Sequence, residues 1–230
     1  MVSTDPPTHI AIILDGNRRW ATEHGMPKIM GHTEGAKRIK PVALSALHQG
    51  VSFLTLFVLS TENVKERSQT ELDHLYTLFG KIIDYVTDLN EHNVRLNVIG
   101  DISKLPQKVQ DNLQQAMERT KNNTGLMLTF AANYGGRDEM TRAVKKMIVD
   151  GVDEPDITED TISRYLDTAG MPDVDLLIRT SGHQRTSNFL PWQSVYAELY
   201  FPRVHWPAFG EEDLLQAIFW FKEQKRNKGK

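Results

Sequence analysis

Acidic, basic and glycine residues are concentrated in one short segment directly after the first apolar run of the chain. The segment reads Asp15-Gly16-Asn17-Arg18-Arg19-Trp20, and Lys28 and His32 follow it closely. A carboxylate can hold Mg²⁺, a glycine lets the backbone approach a ligand, and guanidinium groups bind phosphate oxygens. The segment therefore predicts a site for a diphosphate that is bridged by a metal ion. The alternative is a helix-capping aspartate beside arginines on the protein surface.

A second concentration of hydrogen-bond donors lies much later in the chain. It reads Arg179-Thr180-Ser181-Gly182-His183-Gln184-Arg185-Thr186-Ser187-Asn188. Two arginines on either side of a glycine turn, with hydroxyl groups and an imidazole between them, are typical of a site that binds an anion. The segment predicts a second anion site, and the alternative is a polar surface loop.

Two further acidic segments adjoin apolar runs. Ser60-Thr61-Glu62-Asn63 comes directly after the run Phe53–Leu59. These residues either cap the helix predicted to start near Gln69 or line the same crevice as Asp15. Glu198 begins the apolar run that ends at Phe201. Its carboxylate is either a buried structural group or a second metal ligand.

Short apolar runs alternate with longer segments that have helical periodicity. The predicted strands, which are apolar on both faces, are His9–Leu14, Phe53–Leu59, Val94–Ile99, Leu126–Asn133, Leu176–Arg179 and Glu198–Phe201. The predicted helices are Thr33–Gln49, Gln69–Asn90, Pro106–Lys121, Gly136–Asp150, Glu159–Asp167 and Glu211–Lys225. This alternation predicts a single α/β domain with a mainly parallel six-stranded sheet flanked by helices. In such sheets ligands bind beyond the carboxyl ends of the strands, where the first three polar segments lie.

The predicted helix over 69–90 carries one continuous apolar stripe. Its members recur at three- and four-residue spacing and are Leu72, Leu75, Tyr76, Phe79, Ile82, Ile83 and Val86. The stripe either packs into the core or lines a channel for a hydrocarbon. Together with two anion sites and a carboxylate, it suggests a substrate with a diphosphate head and a hydrocarbon tail, and Mg²⁺ as the cofactor.

The composition narrows the class of protein. The chain has 230 residues with 27 Lys+Arg and 30 Asp+Glu, so its net charge is −3 near neutral pH. Such a chain lacks the net basic charge typical of nucleic-acid binding, and without cysteine it has no disulfide, catalytic thiol or zinc–thiolate site. No apolar run approaches the ~18 residues of a membrane span or forms a signal-peptide core. We therefore expect a cytoplasmic protein without a transmembrane segment, with one domain over residues 1–230 and flexible tails at 1–8 and 222–230.

Six segments resemble, in the same order, the cis-prenyltransferases of the undecaprenyl diphosphate synthase type. They are Asp15–Ala21, Gly31-His32, Ser60–Asn63, Ala132–Arg137, Asp175–Gly182 and Ser187–Phe201. The resemblance extends from about His9 to Phe209. It implies a homodimeric α/β enzyme with a hydrophobic cleft beside a parallel sheet and with Mg²⁺ as cofactor. The implied reaction is ionisation of an allylic diphosphate, attack by an alkene and loss of a proton.

The resemblance also implies roles for individual residues. Asp15 would hold Mg²⁺ on the diphosphate of the allylic donor, and Glu198 would assist the metal. The residues that would bind this diphosphate are Gly16, Asn17, Arg18, Arg19, Trp20, Lys28 and His32. Those that would bind the second diphosphate or otherwise contact substrate are Arg179, Arg185, Ser187, Thr186, Ser60, Thr61 and Glu62. Asn63 would lie near the proton that the acceptor loses.

Several positions depart from the family pattern. Lys28 replaces an arginine and loses its bidentate fork, Val64 replaces a tryptophan, and His183 replaces a glutamate. In the family pattern an arginine follows shortly after that tryptophan. Here Glu66 takes its place with the opposite charge, or the arginine is displaced to Arg67.

These departures fall where the acceptor should bind. They predict an irregular, head-to-middle coupling of two dimethylallyl diphosphates to a lavandulyl- or cyclolavandulyl-type ten-carbon diphosphate. His183 is then the candidate catalytic base, or else a phosphate ligand. The first alternative is a regular synthase that adds isopentenyl diphosphate to an allylic diphosphate. The second is a non-catalytic subunit of a two-subunit prenyltransferase, against which the presence of Asp15 and Arg179 speaks.

Overall fold

The sheet has six strands, and every neighbouring pair is parallel. The computed structural model describes residues 5–224. Its strands agree with the predicted ones to within one residue at each end and are His9–Ile13 (β1), Phe53–Ser60 (β2), Arg95–Ile99 (β3), Met127–Tyr134 (β4), Leu176–Arg179 (β5) and Glu198–Tyr200 (β6). The strand order is β3-β4-β2-β1-β5-β6. The parallel register of all five pairs confirms the predicted α/β class.

The described residues form nine α-helices. They are Asn17–Glu23 (α1), Met30–His48 (α2), Thr61–Glu66 (α3), Gln69–Gly80 (α4), Val86–Glu91 (α5), Gln107–Thr120 (α6), Gly136–Val149 (α7), Glu159–Tyr165 (α8) and Glu211–Glu223 (α9). The sequence analysis missed α1 and α3, because one or two turns are too short to establish a periodicity. Between residues 5 and 224 there is no helix whose length and apolar character would let it cross a membrane.

Both faces of the sheet are buried. Ile10 and Ile12 of β1 have no exposed surface and pack into a cluster that includes side chains of α2 and α9. Ala11 and Ile13 point to the opposite face, where Phe189 covers them. Burial on both faces explains why these strands are continuously apolar rather than alternating.

The segment predicted as one helix over 69–90 is interrupted. α4 ends at Gly80, residues Lys81–Tyr85 form a 3₁₀ turn, and α5 begins at Val86. The Gly80 carbonyl accepts a hydrogen bond from Asn112 Nδ2 of α6 at 2.7 Å. The prediction of one continuous helix was therefore wrong, since a glycine weakens the helix here and a side chain of another helix takes its carbonyl.

Both ends of the described range are anchored to the domain. The Thr8 N–H donates to Asp175 Oδ2 at 2.8 Å, and α9 continues to Glu223. Of the tails predicted at 1–8 and 222–230, residues 1–4 and 225–230 lie outside the described residues.

Candidate active site

Asp15 lies at the centre of the polar site, two residues beyond the carboxyl end of β1. One carboxylate oxygen accepts a hydrogen bond from Arg179 Nη2 at 2.8 Å, and the other accepts one from Arg19 Nη2 at 3.0 Å. Burial alone would raise the pKa of Asp15, but the hydrogen bond and charge of Arg179, supported by Arg19, outweigh it and hold the pKa below its usual value. Asp15 is therefore an anion at neutral pH that connects the two predicted anion sites.

The segment after β5 folds back so that its polar groups face Arg179. This arginine is buried, and its Nη1 donates to the Arg185 carbonyl at 2.8 Å and to Ser187 Oγ at 2.6 Å. Ser181, Ser187 and Asn188 have φ angles of 76°, 50° and 64°, which are uncommon for residues other than glycine. Such backbone conformations persist where the surrounding contacts fix them, as they do at ligand sites.

His205 connects the Asp15 segment to the Arg179 segment. Its Nδ1 lies 2.6 Å from Ser181 Oγ, and its Nε2 lies 3.1 Å from Glu23 Oε1 on α1. Gly16 has a φ of 102°, and a Cβ at this position would lie 2.5 Å from His205 Nδ1. Position 16 therefore requires a glycine both for its backbone conformation and for this close approach.

A second cluster of charges joins α2 to α4 at the mouth of the site. Glu71 Oε1 lies 3.0 Å from His32 Nε2 and 3.2 Å from Arg67 Nη1, and Glu71 Oε2 lies 4.0 Å from Arg18 Nη1. Burial, together with the positive charge of Arg67, lowers the pKa of His32 to about 4. His32 is therefore neutral near pH 7 and acts as a hydrogen-bonding group rather than as a cation.

The short helix α3 places polar side chains over the carboxyl edge of the sheet. Ser60 Oγ accepts the Asn63 N–H at 3.0 Å and so caps α3. Asn188 Nδ2 donates to Glu62 Oε1 at 3.0 Å, and Arg67 Nη2 donates to Asn63 Oδ1 at 3.2 Å. Ser60 thus lines the crevice, as one alternative predicted. The helix that it caps is α3, whereas the helix from Gln69 is capped by Ser68, so that prediction was wrong. The arginine expected after Asn63 is supplied by Arg67.

A cavity of about 760 Å³ opens at these polar groups and continues along the sheet. Asp15 and Arg179 lie at its mouth. Its middle is apolar, and the predicted stripe contributes Leu75, Phe79 and Ile82 to its wall. The same three side chains also pack against a buried cluster. The stripe therefore has both of its alternative roles, as core and as the wall of an apolar channel.

Half of the predicted site residues line the cavity. Those that line it are Asp15, Asn17, His32, Ser60, Glu62, Asn63, Arg179, Arg185 and Ser187. Arg18 and Arg19 lie outside the lining but contact Glu71 and Asp15, respectively. The remaining predicted residues outside the lining are Gly16, Trp20, Lys28, Thr61, His183, Thr186 and Glu198. The position of His183 gives no geometric support to its role as a base.

Glu198 lies at the opposite end of β5 from the polar site. The register pairs Glu198 with Leu176, the first residue of β5, whereas Arg179, the last, pairs with Ile13. At about 3.3 Å per residue, the backbone of Glu198 is roughly 10 Å along the strands from the level of Arg179. The prediction that Glu198 assists the metal of Asp15 therefore gains no support from the strand register within one chain, and it stays a prediction.

The protein ligands at the mouth of the cavity can hold Mg²⁺ only together with oxygens of a bound diphosphate. Among residues 5–224 no group of three His, Cys, Asp or Glu side chains could hold a metal ion. Mg²⁺ at phosphate sites is commonly bound by one or two carboxylates and by substrate oxygens. The ionised Asp15 supplies such a carboxylate at the mouth of the cavity.

Two residues of the site, Glu71 and His205, were not predicted. Glu71 lies in the first turn of α4, whereas Arg67 precedes that helix in extended backbone, so helical spacing gave no signal for their contact. His205 meets Ser181 from 24 residues away and Glu23 from 182 residues away. Such contacts have no local signature in the sequence.

Comparison with known proteins agrees with this fold. The family described as "Putative undecaprenyl diphosphate synthase" matches residues 13–229. An isoprenyl transferase of Chlamydia trachomatis is 46% identical, and the match covers 97% of this chain and 92% of the relative. A Vibrio vulnificus ditrans,polycis-undecaprenyl-diphosphate synthase, described as (2E,6E)-farnesyl-diphosphate specific, is 42% identical over 97% of this chain and 90% of its own length.

A solved structure extends the similarity to three dimensions. Lavandulyl diphosphate synthase from Lavandula x intermedia, in complex with dimethylallyl diphosphate, matches with a TM-score of 0.93 and 35% identity, covering 98% of this chain and 99% of that one. Sequence family, curated relatives and fold therefore agree over nearly the whole chain. This protein belongs to the undecaprenyl diphosphate synthase family of cis-prenyltransferases, and it is a prenyltransferase.

Proposed function

We propose that this enzyme is a Mg²⁺-dependent, regular cis-prenyl diphosphate synthase that adds isopentenyl diphosphate to an allylic diphosphate. A cytoplasmic location and a homodimeric state are further parts of the proposal. We prefer this regular reaction to the irregular coupling of two dimethylallyl diphosphates that the sequence predicted. The observation that carries it is the length of the apolar cavity behind the diphosphate site.

The strand register gives a measure of that length. The cavity is lined near one end by Ser60, which pairs with Tyr134, and near the other by Leu128, which pairs with Leu54. Six residues of strand separate these two levels, which corresponds to about 20 Å. An extended isoprene unit has four chain bonds and spans roughly 5 Å, judged from the 3.8 Å that three backbone bonds cover. The cavity therefore holds roughly four such units, more than a ten-carbon product contains.

The polar mouth of the cavity binds the diphosphate of the allylic substrate. Asp15 and Arg19 would hold it beside β1. Asp15 would also hold Mg²⁺, which would supply positive charge to stabilise the leaving diphosphate. The Asp15–Arg179 pair is already formed, so the charges that face the diphosphate need little reorganisation during the reaction. The apolar tail then extends between α2 and α4 and excludes water from the reacting carbons.

The Arg179 segment binds the acceptor substrate, isopentenyl diphosphate. Arg179, Arg185 and Ser187 bind the diphosphate of isopentenyl diphosphate and aim its double bond at C1 of the allylic substrate. A carbon–carbon bond forms as the C1–O bond to the first diphosphate breaks, and the acceptor then loses a proton to an oxygen of the departing diphosphate. Asn63, which Arg67 holds in place, contacts the acceptor near that proton.

We propose that Glu198 reaches a metal site only from a second copy of the chain. It lies on β6, an edge strand of the sheet. Val195, Tyr196 and Leu199 beside it are exposed apolar residues. Edge strands with such side chains pair readily with another chain, so this edge is the surface through which we expect the homodimer to form.

Irregular coupling of two dimethylallyl diphosphates is the second candidate. It is favoured by the similarity to the lavandulyl diphosphate synthase structure. It is also favoured by Val64, a smaller side chain than the tryptophan of the family pattern. The length of the cavity speaks against it.

Product analysis with the full chain and Mg²⁺ separates the two reactions. Dimethylallyl diphosphate is supplied alone, and then dimethylallyl or farnesyl diphosphate is supplied with labelled isopentenyl diphosphate. We expect no product from the single substrate and cis-linked chains longer than ten carbons from the mixtures. A branched or cyclic ten-carbon alcohol from the single substrate, after removal of the diphosphate, would overturn the regular reaction.

An aspartate variant identifies the site in the same assay. Asp15→Asn should lower the rate by about 100-fold or more, because an amide neither binds Mg²⁺ well nor balances Arg179. Asp111→Asn is the matched control, since Asp111 is exposed on α6 and accepts a hydrogen bond from Gln107 Nε2 on the same helix. Equal rates for the wild type and Asp15→Asn would place the reaction elsewhere.

A further inference from the structure

The Asn188 side chain joins three segments of the site. Asn188 follows Ser187 directly, and its Nδ2 donates to Glu62 Oε1 on α3 at 3.0 Å. Its Oδ1 accepts the Arg137 N–H at 3.0 Å, and its backbone carbonyl accepts the Gly136 N–H at 2.8 Å. Asn188 therefore connects the Arg179 segment, the first turn of α7 and the short helix α3.

The contacts of Asn188 fix the direction of its side-chain amide. Because the Arg137 N–H binds the amide oxygen, the amide NH₂ group is the one that faces α3. Gly135 makes room for this arrangement, since a Cβ there would lie 2.9 Å from Asn188 Nδ2 and 2.6 Å from Thr61 Oγ1. The φ of Asn188 is 64°, a left-handed conformation in which asparagine is enriched. Asparagine therefore suits both the backbone and the hydrogen bonds of this position.

The group that accepts from Asn188 is an ionised carboxylate. Burial alone would raise the pKa of Glu62, but hydrogen bonds from its own N–H and from Asn188, Ser60 and Thr61 outweigh it and hold the pKa below its usual value. A hydrogen bond to a charged acceptor is stronger than one between neutral groups. The Asn188–Glu62 contact therefore holds α3 more firmly than a neutral pair would.

The helix α3 depends on such contacts for its position. None of its residues, Thr61–Glu66, is buried, so packing contributes little to holding it in place. Its carboxyl-terminal half is bound by Arg67, whose Nη2 donates to Asn63 Oδ1 at 3.2 Å. Its amino-terminal turn is bound through Glu62 to Asn188. Asn63 therefore lies between the two attachments of the helix.

We infer that Asn188 is a positioning residue, which holds α3 so that Asn63 stays at a fixed distance from the groups that bind the diphosphate of the acceptor. The inference rests on the proposed function, in which Arg179 and Ser187 bind that diphosphate and Asn63 lies near the proton that the acceptor loses. Ser187 Oγ lies 2.6 Å from Arg179 Nη1, and Asn188 is the next residue in the chain. Asn188 thus links the bound end of the acceptor to its reacting end. A displacement of α3 by about 1 Å is enough to lower the rate strongly.

Steady-state kinetics of the full-length enzyme with Mg²⁺, farnesyl diphosphate and labelled isopentenyl diphosphate test the inference. Asn188→Asp keeps an oxygen for the Arg137 N–H but replaces the donor that faces Glu62 by a second carboxylate. We expect kcat/KM for isopentenyl diphosphate to fall by about tenfold or more. The KM for farnesyl diphosphate should stay within about twofold of wild type, because Asp15 and Arg19 are unchanged.

Reversal of the hydrogen bond separates its effect from that of charge. In the double variant Asn188→Asp with Glu62→Gln, the new amide donates to the new carboxylate, so the contact is restored in the opposite direction at the net charge of the wild type. Glu62→Gln should lower kcat/KM for isopentenyl diphosphate by about two- to threefold in the wild type, because the bond loses its charged acceptor. In the Asn188→Asp background the same substitution should raise it by about fivefold or more. A rise in both backgrounds would mean that charge alone matters, and it would overturn the inference.

An asparagine outside the site provides the matched control. Asn123 Nδ2 donates to Asn90 Oδ1 at 2.9 Å, and Asn123 lies outside the cavity lining. Asn123→Asp should therefore keep the wild-type kcat and both wild-type KM values. If circular dichroism shows that Asn188→Asp does not fold, Glu62→Ala keeps the contacts of Asn188 with α7 and should give the same selective loss.

The inference and the proposed function fail in different ways. Wild-type kinetics in Asn188→Asp, or in Glu62→Ala where that variant takes its place, would overturn the inference alone. An equal loss for both substrates would do the same. Failure of the wild type to incorporate any isopentenyl diphosphate would overturn the proposed function and the inference with it.

Discussion

Two carboxylates balance the positive charge at the mouth of the cavity. Asp15 pairs with Arg19 and Arg179, and Glu71 pairs with Arg67. Without these anions the guanidinium groups would repel one another across a partly buried site. The guanidinium groups are therefore already in position when a diphosphate binds. Most of the ordering of these side chains takes place during folding rather than at each turnover.

Neutral His32 makes the stability of the fold depend on pH. Its pKa is about 4 in the folded chain against an ordinary 6.5. Between these values the unfolded chain binds a proton that the folded chain does not, so the free energy of unfolding falls as the pH is lowered from 6.5 towards 4 and is unaffected above 6.5. Over that range we expect the wild type to lose about 2–3 kcal/mol more than His32→Gln. Urea unfolding at about pH 7 and about pH 4.5 measures the difference.

A variant of a surface histidine separates the effect of His32 from the loss of stability that other groups cause at low pH. His48 is exposed near the end of α2, and His48→Gln should keep the pH dependence of the wild type. An identical pH dependence in wild type and His32→Gln would show that His32 is protonated equally in both states.

At the scale of elements, two helix glycines have opposite roles. A Cβ at Gly80, the last residue of α4, would meet its nearest neighbour, Asn112 Nδ2, at an ordinary 3.8 Å, whereas a Cβ at Gly31 of α2 would lie 2.0 Å from the Asn17 carbonyl oxygen. Gly80→Ala should therefore raise the free energy of unfolding by about 0.5–1 kcal/mol, because the unfolded chain loses freedom. Gly31→Ala should lower it by roughly 1–3 kcal/mol, because α1 must move away from α2.

The two glycine variants serve as controls for each other in the same denaturant titration. Both add one methyl group to a helix, so propensity alone would stabilise both. Destabilisation of both would mean that the 3₁₀ turn after Gly80 needs a glycine. Stabilisation of both would mean that the close contact between α1 and α2 is relieved without cost.

At the level of the whole molecule, the proposal is that pairing at the β6 edge completes the site. We expect light scattering to give twice the 26.2 kDa mass of one chain. Leu199→Glu should shift the mass to that of one chain and lower activity at least about tenfold, because a charge is placed on the pairing edge and Glu198 no longer reaches a partner's site. Arg95→Glu, on the opposite edge strand β3, is the matched control and should leave mass and activity unchanged.

Two outcomes would contradict this arrangement. A wild-type mass of one chain with full activity would show that Glu198 is not needed at the metal. A Leu199→Glu enzyme that stays dimeric would place the interface on another surface, of which the exposed Ile148 and Val149 of α7 are the clearest alternative.

Patterns along the chain were enough to predict the sheet and the polar groups along its edge. Apolar runs without alternation predicted all six strands, because a strand buried on both faces leaves that pattern whatever surrounds it. The carboxyl ends of parallel strands share one edge, so the convergence of Asp15, Ser60 and Arg179 also followed from order along the chain. The family resemblance came from the same segments.

Only the tertiary structure decided how distant residues meet. The break after Gly80 depends on Asn112 of another helix, the bridge of His205 to Ser181 depends on how two loops pack, and the separation of Glu198 from Asp15 depends on strand register. The Lys40–Asp88 ion pair likewise joins α2 to α5 through two residues that are 48 positions apart in sequence. Local propensity and periodicity carry no information about such contacts, because they arise only when elements pack against one another.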